Sequence, residues 1–239
     1  MARMHKGRKV SVVIPCLNEE EGLGKTISSI PAFVDEVLVV DNGSVDRSVE
    51  IATSLGARVV GEERRGYGRA YRTGFPQATG EIIATTDGDG TYPIHLLEAL
   101  LEEFDERQLD FASACRFPLQ KKGAMSFRNR AGNWVFTLCA RLLFSMRVND
   151  VLSGMWVFKR DVLSRMTLEC DGWSFSQNIK IEAHCAAGVK FGEIRIPYEA
   201  RMGEAKLPAW RAGVTALLQM FQKRFHTKRQ RSAREVRDA

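Results

Sequence analysis

The sequence predicts an α/β fold with a mostly parallel central sheet and helices on both faces. Three observations carry that expectation. Short β-rich runs alternate with helical stretches through the first half of the 239 residues. The runs are continuously apolar, as in strands buried on both faces, where a one-sided sheet would alternate. Asn18, Asp41 and Asp87 each fall at the carboxyl end of such a run, the edge where open α/β sheets bind ligands.

In chain order, residues 10–14 read as a buried strand and 19–30 as a helix. Residues 34–40 and 58–61 are strands, followed by helices over 46–55 and 68–78. A strand over 82–86 leads into a helix over 93–105, and 111–115 is a fifth strand. The second half is less regular. One long helix covers 127–146, a strand 154–159, a helix 174–187 and a strand 190–196. An extended basic segment over 198–207 and an amphipathic stretch over 210–225 follow. With no internal repeat and no low-complexity linker, the expected organisation is a basic extension (1–9), one α/β domain (10–207), and an amphipathic helix with a basic tail (208–239).

Forty-four per cent hydrophobic and 27% charged residues is ordinary for a soluble globular chain long enough to bury a large core. The net charge of +6 is concentrated at the ends. Arg3, Lys6, Arg8 and Lys9 lie at one terminus, and Lys223, Arg224, Lys228, Arg229, Arg231, Arg234 and Arg237 near the other. Such ends are either solvated tails or attracted to an anionic surface. The five cysteines are widely spaced with no Cys-x-x-Cys pair, which supports neither a disulfide framework nor a zinc site. They are read as mostly core residues in a reducing compartment. No apolar run approaches the length of a membrane span; the best, 135–146, is broken by Arg141. No secretory leader is apparent in the basic first residues. The expectation is a cytoplasmic protein, peripheral on the inner face of the membrane.

Residues 83–93, Ile-Ala-Thr-Thr-Asp-Gly-Asp-Gly-Thr-Tyr-Pro, end an apolar run with Asp87 and Asp89. Two acids at this spacing can converge on one hard divalent cation that in turn holds a ligand's phosphates, although Asp and Gly are also common turn residues. A calcium loop of the EF-hand kind fails, because its sixth position needs Gly and Tyr92 stands there. Gly66 and Gly68 lack the third glycine of a dinucleotide fingerprint.

Five segments occur in register: Val13-Ile14-Pro15-Cys16-Leu17-Asn18-Glu19; Val40-Asp41-Asn42-Gly43-Ser44 with Asp46; Gly66-Tyr67-Gly68-Arg69-Ala70 with Gly74; Asp87-Gly88-Asp89; and Asp150-Val151-Leu152-Ser153-Gly154, followed by Arg201-Met202-Gly203-Glu204-Ala205-Lys206-Leu207. Together they make residues 10–210 resemble the family 2 inverting glycosyltransferases of GT-A fold. Within that family the likeness is to the branch around dolichol-phosphate mannose synthase and bacterial polyprenyl-phosphate glycosyltransferases.

The resemblance implies that Pro15, Asn18, Glu19, Asp41 and Gly68 bind the nucleotide sugar, with Asp41 on the base. It implies that Asp87 and Asp89 form the DXD motif, binding Mg²⁺ or Mn²⁺ on the donor diphosphate, with Asp89 counted among the catalytic groups. Arg201 and Lys206 would lie on a loop closing over the donor phosphates. At the other end, Arg116, Arg128, Arg130 and Ser153 would bind the acceptor. Arginine's planar fork suits a phosphate, so a polyprenyl phosphate is the expected acceptor. Asp150 would be the general base if the acceptor were a hydroxyl, since an alcohol must lose its proton as it attacks. Two chemically different readings fit less well. A nucleotidyltransferase should carry a Gly-rich basic loop where this chain has Leu17-Asn18-Glu19-Glu20-Glu21, and the basic tail alone is a weak case for a nucleic-acid partner. The stretch 210–225 is compatible with a membrane interface or with packing on the catalytic domain.

Overall fold

The computed structural model describes residues 5–120, 124–198, 213 and 216–224. Seven strands form one sheet in the order β3-β2-β1-β4-β6-β5-β7: β1 (Val10–Cys16), β2 (Glu36–Asp41), β3 (Arg58–Gly61), β4 (Ile82–Thr85), β5 (Phe111–Cys115), β6 (Trp156–Lys159) and β7 (Phe191–Arg195). β1 pairs in parallel with β2 and β4, β2 with β3, and β5 with β7. The exception is β6, which enters between β4 and β5 antiparallel to both.

Alternation along the strands sends successive side chains to opposite layers. Val12, Ile14, Val39 and Ala84 face a core completed by α1 (Glu20–Ser28), α2 (Ser48–Ser54) and α4 (Leu97–Glu106). Val13, Leu38, Val40 and Ile83 face the other, completed by α3 (Tyr67–Gly74) and α6 (Phe175–Cys185). A third cluster joins Phe136, Ala140 and Phe144 of α5 (Phe127–Phe144) to Ile181, Ala216 and Met220. The helical residues 216–224 therefore pack on the domain. Gln177 Nε2 donates to the Ala216 carbonyl at 2.9 Å and Lys223 pairs with Glu182 at 2.5 Å.

Local chemistry shifts several element ends from their expected places. α2 starts at Ser48 because Asp46 acts before it, accepting the Ser48 amide at 3.0 Å and the Glu20 amide at 3.1 Å. α3 gives way after Gly74 to a 3-10 turn over Phe75–Gln77, since Pro76 has no amide to continue the helix. Part of the basic amino end is docked, not solvated: Arg8 donates twice to Asp105 of α4 (2.8 and 2.7 Å), and Lys6 and His5 reach the same carboxylate. Cys16 and Cys115 are buried, which pushes both thiols up to about 11.

Candidate active site

Because β1, β2 and β4 run parallel, the loops after them meet at one edge of the sheet. Those after β1 and β2 are bolted together. The Asn18 amide donates to Ser44 Oγ at 2.9 Å, the Glu19 amide to Ser48 Oγ at 2.8 Å, and Asn18 Oδ1 accepts the Val45 amide at 2.8 Å. Asn18 adopts a left-handed φ of 52° to make this turn, a conformation asparagine tolerates better than most residues. Asp41 accepts the Ser44 amide at 3.1 Å and so holds the 42–44 turn. The buried Asn42 donates to the carbonyls of Glu62 (2.9 Å) and Arg64 (2.8 Å).

Above these loops lies a cleft of about 280 Å³ whose walls include Pro15, Glu19, Asn42, Tyr67, Asp87, Asp89 and Trp173. The expected neighbours Pro15, Glu19, Asp87 and Asp89 are thus brought together. Tyr67 donates its hydroxyl to Asp87 Oδ1 at 3.0 Å. Burial, reinforced by the Asp87 charge, holds that phenol well above its ordinary pKa, so it keeps its proton. Asp89 is oriented by Thr91, whose amide and hydroxyl both donate to its Oδ1 at 3.1 and 2.7 Å. Among the described residues no group of three or more His, Cys, Asp or Glu side chains could hold a metal ion by itself. A pair of positioned carboxylates nonetheless fits a Mg²⁺-type ion, which takes one or two protein carboxylates and completes its octahedron with substrate phosphates and water.

Other expected contacts lie elsewhere than the linear motifs suggested. Gly68 is buried below the cleft. The close approach it permits is to protein: its amide donates to the Gly172 carbonyl at 3.3 Å, and a Cβ there would lie 2.7 Å from Phe175 Cβ. Arg116 and Ser153 are also internal. Arg116 Nε and Nη2 donate to the two oxygens of Asp150 at 2.7 and 2.8 Å, and its backbone amide adds a third bond at 3.0 Å. The Tyr198 ring covers the guanidinium with the centroid 5.1 Å away, a cation–π contact. Asp150 is 0% exposed. Its burial would raise its pKa, but the charge and hydrogen bonds of Arg116, with help from Lys180, outweigh that and hold the carboxyl below its ordinary value. Arg128 and Arg130 are exposed at the start of α5. Arg130 lines a second groove, about 440 Å³, with Phe117, Trp134 and Asn149. Arg201 and Lys206 lie outside the described residues.

The motif reading missed Lys180. It is fully buried, and its Nζ donates to the carbonyls of Asp150 and Val151 (both 3.0 Å) and to Ser153 Oγ (2.8 Å). Burial lowers its pKa to about 7 against the attraction of Asp150. A sequence signal existed: Lys180 shares a helix face with Gln177 and Ala183, the inward side of α6. Tyr67, Thr91 and Trp173 carried no comparable signal, because their roles depend on what the fold places opposite them.

Comparison with known proteins agrees with this architecture. Residues 11–167 match the model of glycosyl transferase family 2. A dolichyl-phosphate hexose transferase of Haloferax volcanii is 34% identical over 212 residues, 85% of this chain and 89% of that protein. A low-salt glycan biosynthesis hexosyltransferase, Agl6, of the same organism is 33% identical over 85% of this chain and 51% of its own length. Among solved structures, glucosyl-3-phosphoglycerate synthase from Mycobacterium tuberculosis, in complex with Mn²⁺, UDP and phosphoglyceric acid, superposes with a TM-score of 0.70. It is 23% identical and the match covers 92% of this chain and 79% of that one. The fold and cleft define a GT-A glycosyltransferase. The chain belongs to glycosyl transferase family 2.

Proposed function

We propose that this enzyme transfers a hexose, with inversion, from a GDP- or UDP-linked donor to a polyprenyl or dolichyl phosphate, using Mg²⁺ or Mn²⁺ held by Asp87 and Asp89. Catalysis is assigned to residues 10–207. The Haloferax relative's name supports the lipid-phosphate acceptor, and the Mn²⁺ and UDP of the mycobacterial structure support the donor and metal.

The observation that carries the choice of acceptor is the state of Asp150. A general base must reach the proton it removes and be basic enough to take it. Asp150 is sealed from solvent, both its oxygens accept from Arg116, and its pKa is depressed. An alcohol would gain little from it, whereas a phosphate, already ionised near neutral pH, needs placement and charge compensation. The exposed Arg130, lining a groove with Phe117, supplies that charge, and Arg128, also exposed, stands two residues earlier on the helix. Asp150 and Arg116 then serve by fixing the 150–154 turn.

On the donor side, Pro15, Asn18, Glu19 and Asp41 shape the nucleoside end, and Tyr67 and Thr91 orient the two acids. The cation, when bound, neutralises charge growing on the departing nucleoside diphosphate. Arg201 and Lys206, outside the described residues, are assigned to those phosphates, where their charge would offset that of the diphosphate.

Support for a peripheral place on the membrane comes from α5, where Phe127, Trp134, Leu138 and Leu142 form an exposed stripe, Trp134 and Leu142 being 66% and 75% exposed. About four turns of helix presenting two aromatic rings and two leucines beside arginines suit a lipid interface. No described helix is long and apolar enough to cross a membrane.

The test is incubation with UDP-glucose or GDP-mannose, Mg²⁺ or Mn²⁺, and either a short polyprenyl phosphate or the matching alcohol. Transfer to the phosphate is expected, abolished by chelation and reduced about 10²–10³-fold in Asp87→Asn and Asp89→Asn. Transfer to the alcohol alone would overturn the acceptor assignment.

A further inference from the structure

The geometry points to Trp173 as the platform on which the transferred hexose lies, a sugar subsite next to the metal acids; the inference rests on the reading of the cleft as a nucleotide-sugar site. Trp173 is 43% exposed and lines the cleft with Pro15, Leu17, Asp87 and Asp89. One face of its indole is occupied by the Tyr67 ring, with centroids 4.7 Å apart and planes 9° from parallel.

The segment that presents Trp173 is rigidly held. The Gly68 amide donates to the Gly172 carbonyl (3.3 Å), Arg69 to Asp171 (3.0 Å), and the Phe175 amide back to Gly172 (3.1 Å). Arg72 adds an ion pair with Asp171 and a 3.2 Å bond to the Glu169 carbonyl. Gly66 and Gly68 make this seating possible. A Cβ on either would collide with the carbonyl of Asp171 or Cys170, and Gly66 has a φ of 153° that other residues rarely adopt. The glycine spacing of 66–68 thus accommodates a backbone that carries a tryptophan to the cleft wall.

Position argues for the sugar over the base. In that reading the nucleoside end is assigned to Pro15, Leu17 and Asn42, cleft-wall residues at and just past the ends of β1 and β2. The hexose must lie between the diphosphate at Asp87 and Asp89 and the acceptor end. Tyr67, on which Trp173 stacks, stands beside that gap: its hydroxyl bonds Asp87 at 3.0 Å, and a Cβ built on Gly154, in the 150–154 turn, would sit 2.6 Å from that hydroxyl and 3.0 Å from Asp87 Oδ2. A hexose offers an apolar C–H face and polar edges. An aromatic wall flanked by a few polar groups is the complementary surface.

The test measures binding by calorimetry in saturating Mn²⁺, with UDP and GDP against UDP-glucose and GDP-mannose, for the wild type, Trp173→Ala and Trp173→Phe. Thermal melts accompany each variant. For the donor the wild type prefers, Trp173→Ala should weaken the nucleotide sugar about three- to tenfold. The corresponding diphosphate should stay within about twofold, and Trp173→Phe, which keeps a flat ring, should recover most of the loss. Equal weakening of sugar nucleotide and diphosphate would move the contact to the nucleoside, and no weakening would remove it; either overturns the assignment. A wild type that binds none of the four ligands would instead overturn the donor cleft itself, and the platform with it.

Discussion

Replacing Arg116 by methionine keeps an apolar stem of similar reach and removes the charge that faces Asp150. The carboxylate, 0% exposed, loses its two side-chain partners at 2.7 and 2.8 Å. It keeps the residue-116 amide at 3.0 Å and the nearby Lys180 ammonium. Breaking a buried ion pair costs about 3–5 kcal/mol, because the remaining charge stays desolvated. With those two groups left, the lower end applies, about 3 kcal/mol. For a domain of this size that lowers the melting temperature by roughly 6–12 °C.

The loss should also depend on pH, and its sign is set by the direction of the Asp150 shift. In the wild type the folded pKa lies below the unfolded one, so the pair's stabilisation is present above about pH 4 and fades as pH falls through the folded value. Without Arg116 desolvation dominates and the folded pKa rises above the unfolded one. The variant then regains stability as acid protonates Asp150, and the gap between the two proteins narrows from pH 7 towards pH 5. Urea titrations at both pH values measure this. A deficit under about 1 kcal/mol at pH 7, or one that does not shrink in acid, would refute the buried-pair account and return Arg116 to the substrate-binding residues.

Two further predictions concern the neighbours of that pair and the cleft floor. Lys180→Met should flatten stability against pH on the alkaline side. With a folded pKa of about 7 against about 10.4 in the unfolded chain, the unfolded state binds more protons over that interval. Wild-type stability should therefore gain about 2 kcal/mol between pH 7 and 9 that the variant does not, as read by denaturant titration. Gly68→Ala should cost about 1–3 kcal/mol by overpacking against Phe175 and the Cys170 carbonyl; a variant that melts with the wild type would show that the 170–173 segment is not seated as described.

Much of the first half was legible because its information is local. The strands at 58–61 and 111–115 match β3 and β5 at both ends, and continuous apolar runs between turn residues leave few alternatives. The same locality placed Pro15, Glu19, Asp87 and Asp89 at one edge, since parallel strands point their carboxyl ends the same way. Boundaries slipped where a side chain acted across loops, as Asp46 does on α1 and α2.

The expected contacts that turn inward do so for one physical reason. Arg116, Asp150 and Ser153 are polar residues next to strand ends, and as isolated letters they look like substrate contacts. Arg116 and Asp150 are 34 positions apart, and only the antiparallel entry of β6 between β4 and β5 brings the turn before it against the end of β5. Burial then converts what would have been surface charges into an internal pair, backed by Lys180. Gly68 follows the same logic, its missing side chain making room for a segment a hundred residues later. Short-range patterns of apolarity, turns and paired acids were enough to establish an α/β sheet with a carboxylate-bearing edge. Which charges face the ligand and which face one another rests on strand order and solvent exclusion, properties that arise only when distant segments pack.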